Sequence, residues 1–153
     1  MNLTLRSVPV DQALEHEAFL DQALEESVEA LGDEVPQSGA ARRVLERGGE
    51  RKETLVVFAE ESEGAGPVAA CACVPMDDPL TGAAVPLIAL CYVKPDLRHR
   101  GIARALVHEA SRLLAARGIH DIATRVGHND DALISMGERW GFVRRWEWMT
   151  REG

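Results

Sequence analysis

Aromatic residues make up only 5% of this 153-residue chain, and a single one is tyrosine, Tyr92. With aromatics so sparse, the stacking, cationic surface of a nucleic-acid-binding protein is not expected. No apolar run approaches the ~20 residues that a membrane-spanning helix needs. The opening MNLTLRSVPV lacks the basic-then-apolar order of a secretory signal. Cysteine is scarce too: Cys71, Cys73 and Cys91 form no CxxC pair and have no histidine at metal-ligand spacing. All three sit in apolar, strand-like stretches. They are expected to be reduced, buried thiols of a cytoplasmic protein with no metal, a catalytic thiol at Cys91 being the alternative. Internal repeats, low-complexity segments and linkers are also absent, which points to one domain over 1–153.

The hydrophobic share of 46% and the charged share of 27% suit a globular chain with a core. Its formal net charge of −8 is unevenly spread. Residues 1–90 hold 6 Lys/Arg against 17 Asp/Glu, whereas residues 91–153 hold 11 against 8. An acidic first part and a mildly basic second part suggest two binding surfaces of opposite preference, or simply a solvated exterior.

Periodicity assigns the elements. Residues 3–8 alternate as a strand. From Asp11 to Leu31 the apolar residues follow helical spacing, with Asp11 as cap and Gly32 as stop. The exposed face of this helix carries Glu15, Glu17, Asp21, Glu25, Glu26 and Glu29, either a solvated face or a wall that attracts cations. Ser38 can cap a second helix reaching Arg47. Strands over 54–60 and 67–74 form a hairpin, 75–86 is a loop whose Met76, Asp77 and Asp78 could line a pocket, and 87–93 is an apolar central strand. Ile102, Leu106, Ala110, Leu113 and Leu114 make the apolar stripe of a helix over 102–117, closed by Gly118. A strand over 120–126 then lies parallel to 87–93 by a right-handed crossover. A helix over 129–140, stopped by Gly141, and a strand over 142–150 complete the chain.

The stretch YVKPDLRHRGIARAL carries the strongest signal. Arg98, Arg100 and Arg104 crowd a helix N-terminus, where cations are unfavourable by about 0.3–1 kcal/mol each. The placement makes sense if an anion sits there. Unpaired first-turn amides and the helix dipole attract it, Gly101 and Ala103 allow close approach, and arginine forks suit phosphate oxygens. Several positive groups around one turn fit a pyrophosphate; a solvated basic turn is the bland alternative. The turn has neither the GK[ST] of a P-loop nor the GxGxxG of a dinucleotide fold, so ATP and NAD fit less well.

The run from Val93 to Leu106 resembles the acetyl-CoA motif of the GNAT family of N-acetyltransferases. That family's Gln/Arg-x-x-Gly-x-Gly/Ala core is matched by Arg98, Gly101 and Ala103, with His99 where a glycine is common. Asn129, Ala132 and Gly141-Phe142 match its second signature, and the order of elements is similar along nearly the whole chain. The resemblance implies an α/β fold: a mixed, mostly antiparallel sheet of about six to seven strands with a splayed parallel pair, flanked by about four helices. It implies acetyl-CoA as acyl donor. The backbone of Cys91, Tyr92 and Val93 would pair with its pantetheine arm like an added strand. Arg98, His99, Arg100, Gly101, Ile102, Ala103 and Arg104 would hold the pyrophosphate, and Asn129 would face the pantetheine or acetyl end.

The sequence departs from the family at two points. The tyrosine that usually protonates the leaving thiolate is replaced, since its expected place holds Met136 or Gly137. Tyr92, on the cofactor strand, is then the candidate acid. His128, at a strand end beside Asn129, is the candidate base, its ordinary pKa of about 6.5 suiting the role; a structural histidine is the alternative. His99 would help the phosphate loop and His108 lies on the outer part of its helix. Asp33 and Glu34 are candidates to hold a cationic amine. Finally, after Gly141-Phe142 only one strand's length remains, with Trp146 and Trp148 on it, so a homodimer through this C-terminal strand is expected. The resulting expectation is an acetyl-CoA-dependent N-acetyltransferase for a small, cationic amine. The alternatives are a non-catalytic acyl-CoA-binding module and a protein-interaction domain working through Trp146 and Trp148, without nucleic acid or membrane as partners.

Overall fold

Four antiparallel strands, buried on both faces where they are central, organise the molecule. In the computed structural model, residues 2–30, 32, 36 and 38–151 are described. β1 (Thr4–Val8), β2 (Leu55–Glu60), β3 (Pro67–Asp77) and β4 (Ala84–Val93) pair in the order β1-β2-β3-β4. β2 is buried along its whole length. Alternation sends Val56 and Phe58 to one face, with Ala70, Ala72, Leu90 and Tyr92. Leu55, Val57 and Ala59 go to the other, with Ala69, Cys71, Cys73 and Val93.

Helices cover both faces. The single helix expected from a cap at Asp11 is instead a short α1 (Val10–Ala13), with Pro9 at its N-cap and Asp11 in its first turn, which passes through a 3-10 turn, Leu14–His16, into α2 (Glu17–Ala30). Leu20, Ala23 and Leu24 of α2 and Ala41 and Leu45 of α3 (Ala40–Gly48) pack on the first face. Leu106, Val107, Ala110 and Leu114 of α4 (Ile102–Ala116) pack on the second. α5 (Asp131–Arg139) follows. Counting the α1–α2 run once, this is the four-helix complement expected from the sequence.

The start of α3 differs from expectation. Ser38 is not its cap; Gly39 is, in the left-handed region at φ 82°. That backbone turns the first amides toward α2, where the Asp21 carboxylate accepts from Ala41 N–H at 2.9 Å and Gly39 N–H at 3.4 Å. Asp21→Ala is therefore expected to lower stability by about 0.5–2 kcal/mol. Denaturant unfolding that leaves the midpoint unchanged would contradict this.

Among the described residues the sheet has four strands rather than six to seven. Segment 120–126 runs parallel to β4, as the crossover rule requires, but meets it at one bridge, Leu87 with Ala123. Ile88 N–H donates to Ala123 O and Ala123 N–H to Pro86 O, each at 2.8 Å. The cause lies in β4. Its register against β3 passes from Leu90 opposite Ala72 to Ile88 opposite Cys73, which leaves Ala89 as an extra residue. A bulge bends the strand and interrupts the ladder, so the parallel partner cannot follow β4 past it. The expected strand over 142–150 is also absent, and residues 143–151 are exposed. Alternating Phe142, Trp146 and Trp148 have the period of a strand, but a strand requires an edge to pair with.

Candidate functional site

β4 delivers its C-terminal end to the arginine-rich turn. Lys94 N–H donates to Val68 O, and a 3-10 turn, Pro95–Leu97, anchors itself through buried Leu97. Two left-handed residues follow, His99 at φ 64° and Gly101 at φ 79°, and Gly101 is the N-cap of α4. The first bond into the helix runs from Ala105 N–H to Gly101 O at 3.1 Å. Among the described residues, nothing accepts from the backbone N–H groups of His99 to Arg104. The result is an exposed row of unpaired donors at a helix N-terminus, suited to an anion.

The three arginines divide into two kinds. Arg100 and Arg104 are exposed and enter no ion pair among the described residues. Arg98 turns away from the cradle: Nε donates to Val93 O at 2.9 Å and Nη2 to Glu26 Oε2 at 3.1 Å. Its guanidinium also lies 5.5 Å from the centre of the Tyr92 ring. Arg98 thus ties the end of β4 to α2, a link over 72 residues that no local pattern reveals.

Tyr92 belongs to the α2-covered face. It is 5% exposed and meets Phe19 edge-on at 5.6 Å. Burial pushes its phenol above the ordinary value, and the Glu26 carboxylate adds to the effect. The group therefore keeps its proton through the neutral range. Cys91 and Val93 lie on the opposite face, Val93 buried and Cys91 partly so. Beyond the single bridge at Leu87, no backbone hydrogen bond joins β4 to segment 120–126 among the described residues. The strand edge from Ala89 to Val93 is therefore open on that side.

His128 and Asn129 occupy an exposed turn before α5. Asp130, not Asn129, caps that helix, its Oδ1 accepting from Leu133 N–H at 3.1 Å. The turn approaches the end of α2: a Cβ on Gly127 would lie 3.8 Å from the Ala30 carbonyl oxygen. No hydrogen bond or ion pair links His128 to the cradle among the described residues. Asp33 and Glu34 lie outside the described residues. His108 is exposed on α4.

Other acids are already engaged. Glu17 pairs with Arg42 at 2.9 Å, Asp21 caps α3 and Glu26 holds Arg98. Glu15, Glu25 and Glu29 enter no ion pair among the described residues, so only part of the acidic face of α2 could attract a cation. The expected 75–86 loop shrinks to 78–83, because β3 runs on to Asp77 and β4 starts at Ala84 in register with it, and this turn lies at the far end of the sheet from the cradle. There Arg51 clamps Asp77 at 2.7 and 2.9 Å and holds its carboxyl below the usual range, while Asp78 accepts from Leu80 and Thr81. An open groove of about 1160 Å³ also lies at that end, bordered by Val8, Arg42, Glu46, Leu55 and Arg117. Its arginines are neutralised or bonded, Arg42 by Glu17 and Glu46, Arg117 by the carbonyls of Lys52 and Thr54. The cradle, with its unpaired donors, is chemically the better anion site.

The chain matches a model of the acetyltransferase (GNAT) family over residues 16–142. No curated protein matches it. Among solved structures it is similar to a predicted acetyltransferase of Clostridium acetobutylicum solved with acetyl-CoA, at 18% identity and TM-score 0.71, covering 99% of this chain and 96% of that one. An aminoglycoside N-acetyltransferase in complex with CoA is similar at 14% identity and TM-score 0.70, covering 99% and 95%. A ribosomal-protein-alanine N-acetyltransferase of Brucella melitensis biovar Abortus 2308 is similar at 15% identity and TM-score 0.68, covering all of both chains.

Proposed function

Because the chain belongs to the acetyltransferase (GNAT) family, we propose that it transfers acetyl from acetyl-CoA to a small, cationic amine by direct attack in a ternary complex, as a single domain over 1–153. The observation that carries this is the unpaired donor row of His99 to Arg104, with Arg100 and Arg104 free beside it, at the end of an open strand edge. The donor brings an activated thioester. The edge at Cys91 to Val93 would take the pantetheine arm as an added strand, and the cradle would take the pyrophosphate. Arg98 would act as a positioning residue, through the Val93 carbonyl and Glu26. Asn129 would face the acetyl end.

The attacking amine must be neutral. His128 is exposed and is the candidate base, and Tyr92, kept protonated by burial, is the candidate proton donor. Much of the rate would come from positioning. Asp33 and Glu34, with Glu25 and Glu29 at the end of α2, would hold the cationic acceptor. The aminoglycoside N-acetyltransferase among the similar structures supports such an acceptor.

The test is acetyl-CoA titration by calorimetry, followed by CoA release with polyamines, aminoglycosides and amino acids. Micromolar binding without magnesium and release dependent on a cationic acceptor are expected; a preference for neutral or acidic acceptors would refute the acceptor class. A second reading rests on Met136 and Gly137 in α5, where the usual tyrosine is absent. A non-catalytic acyl-CoA-binding module would bind the donor yet release no CoA with any acceptor.

The exposed tail, with Trp148 90% and Met149 92% accessible, supports a homodimer in which this segment pairs with a second copy. Light scattering that shows only monomer at micromolar concentration would sink the dimer. Three free thiols support a reducing, cytoplasmic setting, and no described helix is long and apolar enough to cross a membrane.

A further inference from the structure

We propose that Cys91 is a peroxide-oxidation site and that Cys71 is its resolving thiol, the two closing a cross-strand disulfide between β3 and β4. The thiols have no part in the transfer chemistry, and the pair stands without that reading. Cys71 lies directly opposite Cys91 in the antiparallel register. Directly opposed residues in such a ladder have Cα atoms about 4.5 or 5.5 Å apart, and disulfides span about 4.4–6.8 Å, so either spacing can be bridged with the strands in place. Both side chains point to the face covered by α4. Cys73, two residues along the same face, lies opposite Ile88 and is offset from Cys91.

Accessibility assigns the order of events. Cys71 and Cys73 are fully buried, whereas Cys91 is partly exposed and meets an oxidant first. The electronics agree. The neighbouring Cys71 thiol draws Cys91 below the ordinary thiol value. The neighbouring Cys73 and Cys91 thiols, and then burial, push Cys71 well up. Greater exposure, with the lowered thiol value in support, makes Cys91 the sulfur that attacks first and Cys71 the thiol that follows.

The chemistry closes with hydrogen peroxide as oxidant. Cys91 sulfur attacks one peroxide oxygen, the O–O bond breaks and the departing hydroxide takes a proton to become water, leaving a sulfenic acid. Cys71 sulfur attacks Cys91 sulfur, the S–O bond breaks, and hydroxide leaves with the Cys71 proton as a second water. Two electrons pass from the thiol pair to the peroxide. Cys91 sulfur also touches the Ala103 carbonyl oxygen at 4.0 Å in the first turn of α4, and the new bond would draw it off that contact.

Treatment of the full chain with hydrogen peroxide, then alkylation and digestion without reductant, should yield a linked peptide pair containing Cys71 and Cys91, reversed by dithiothreitol. Closing a loop of about 20 residues constrains the unfolded chain, so the melting midpoint should rise by roughly 5–10 °C on oxidation and return on reduction. Cys91→Ser should leave Cys71 a free thiol. Because that variant could fold poorly, Cys73→Ser carries the test independently: it keeps the pair and should still form the linkage. Cys91 advancing to sulfinic acid with Cys71 unmodified, linkage through Cys73 or between copies, or a melting midpoint that falls as the linkage forms would each overturn the proposal.

Discussion

Gly101→Glu is expected to weaken acetyl-CoA binding by about 100-fold or more, a loss near 2.7 kcal/mol, while the fold persists. Gly101 caps α4 at φ 79°, and a Cβ there would meet nothing within 4 Å. Sterics in the free protein are thus no obstacle, and the left-handed backbone adds about 1–2 kcal/mol of strain. The decisive change is charge. A carboxylate at the N-cap can satisfy the open amides of Ile102 to Arg104 itself, which removes the donors and places a negative charge where the pyrophosphate would lie. Calorimetric titration of wild type and variant, with melting curves for both, checks this. Gly101→Ala supplies the strain without the charge and should bind with a much smaller loss, while Arg100→Ala, removing one exposed fork, should cost about tenfold. Wild-type affinity in Gly101→Glu would show that the turn does not hold the phosphates.

Phe58→Ala is expected to destabilise the fold by about 3–5 kcal/mol, a fall of roughly 10 °C in melting midpoint. Phe58 is 0% exposed at the centre of β2, under the α1–α2 run. It also meets the ring of His16 edge-on at 5.6 Å and 88°, which fixes the 3-10 turn that leads into α2. Alanine leaves a cavity that strands paired on both sides of β2 cannot close. Urea unfolding should show a lower midpoint at unchanged slope. Phe58→Leu, which fills most of the volume, should cost less than about 1.5 kcal/mol. A Phe58→Ala loss below 1 kcal/mol would mean that the α1–α2 run collapses onto the sheet.

Much of the candidate site was legible because its information is local. The misplaced charge of Arg98, Arg100 and Arg104, the small residues Gly101 and Ala103, and a strand leading into the turn all lie within one short segment. The structure places unpaired amides where that segment suggested them. The roles within the segment were less legible. Arg98 looks like its neighbours in sequence, yet Glu26 and the Val93 carbonyl claim its side chain. Tyr92 reads as a residue of the cofactor strand and a candidate acid, but its burial against Phe19 depends on which face of β4 meets α2. Ser38 had the chemistry of a cap, but Asp21 took the role because helix packing brought it to the α3 amides.

The sequence by itself determined the helices, the hairpin strands and the position of the anion turn. Periodicity, glycine stops and clustered charge act over a few residues and need no distant partner. Tertiary structure decided how many strands exist, which arginines stay free and where the acids are spent. A strand needs an available edge. The Ala89 bulge ends the parallel ladder at Leu87 and Ala123, so segment 120–126 does not extend the sheet, and segment 142–150 pairs with no strand despite its strand periodicity. An ion pair needs a partner within a few ångströms, and the chain separation between Glu26 and Arg98 is closed only by packing α2 and β4 on one another.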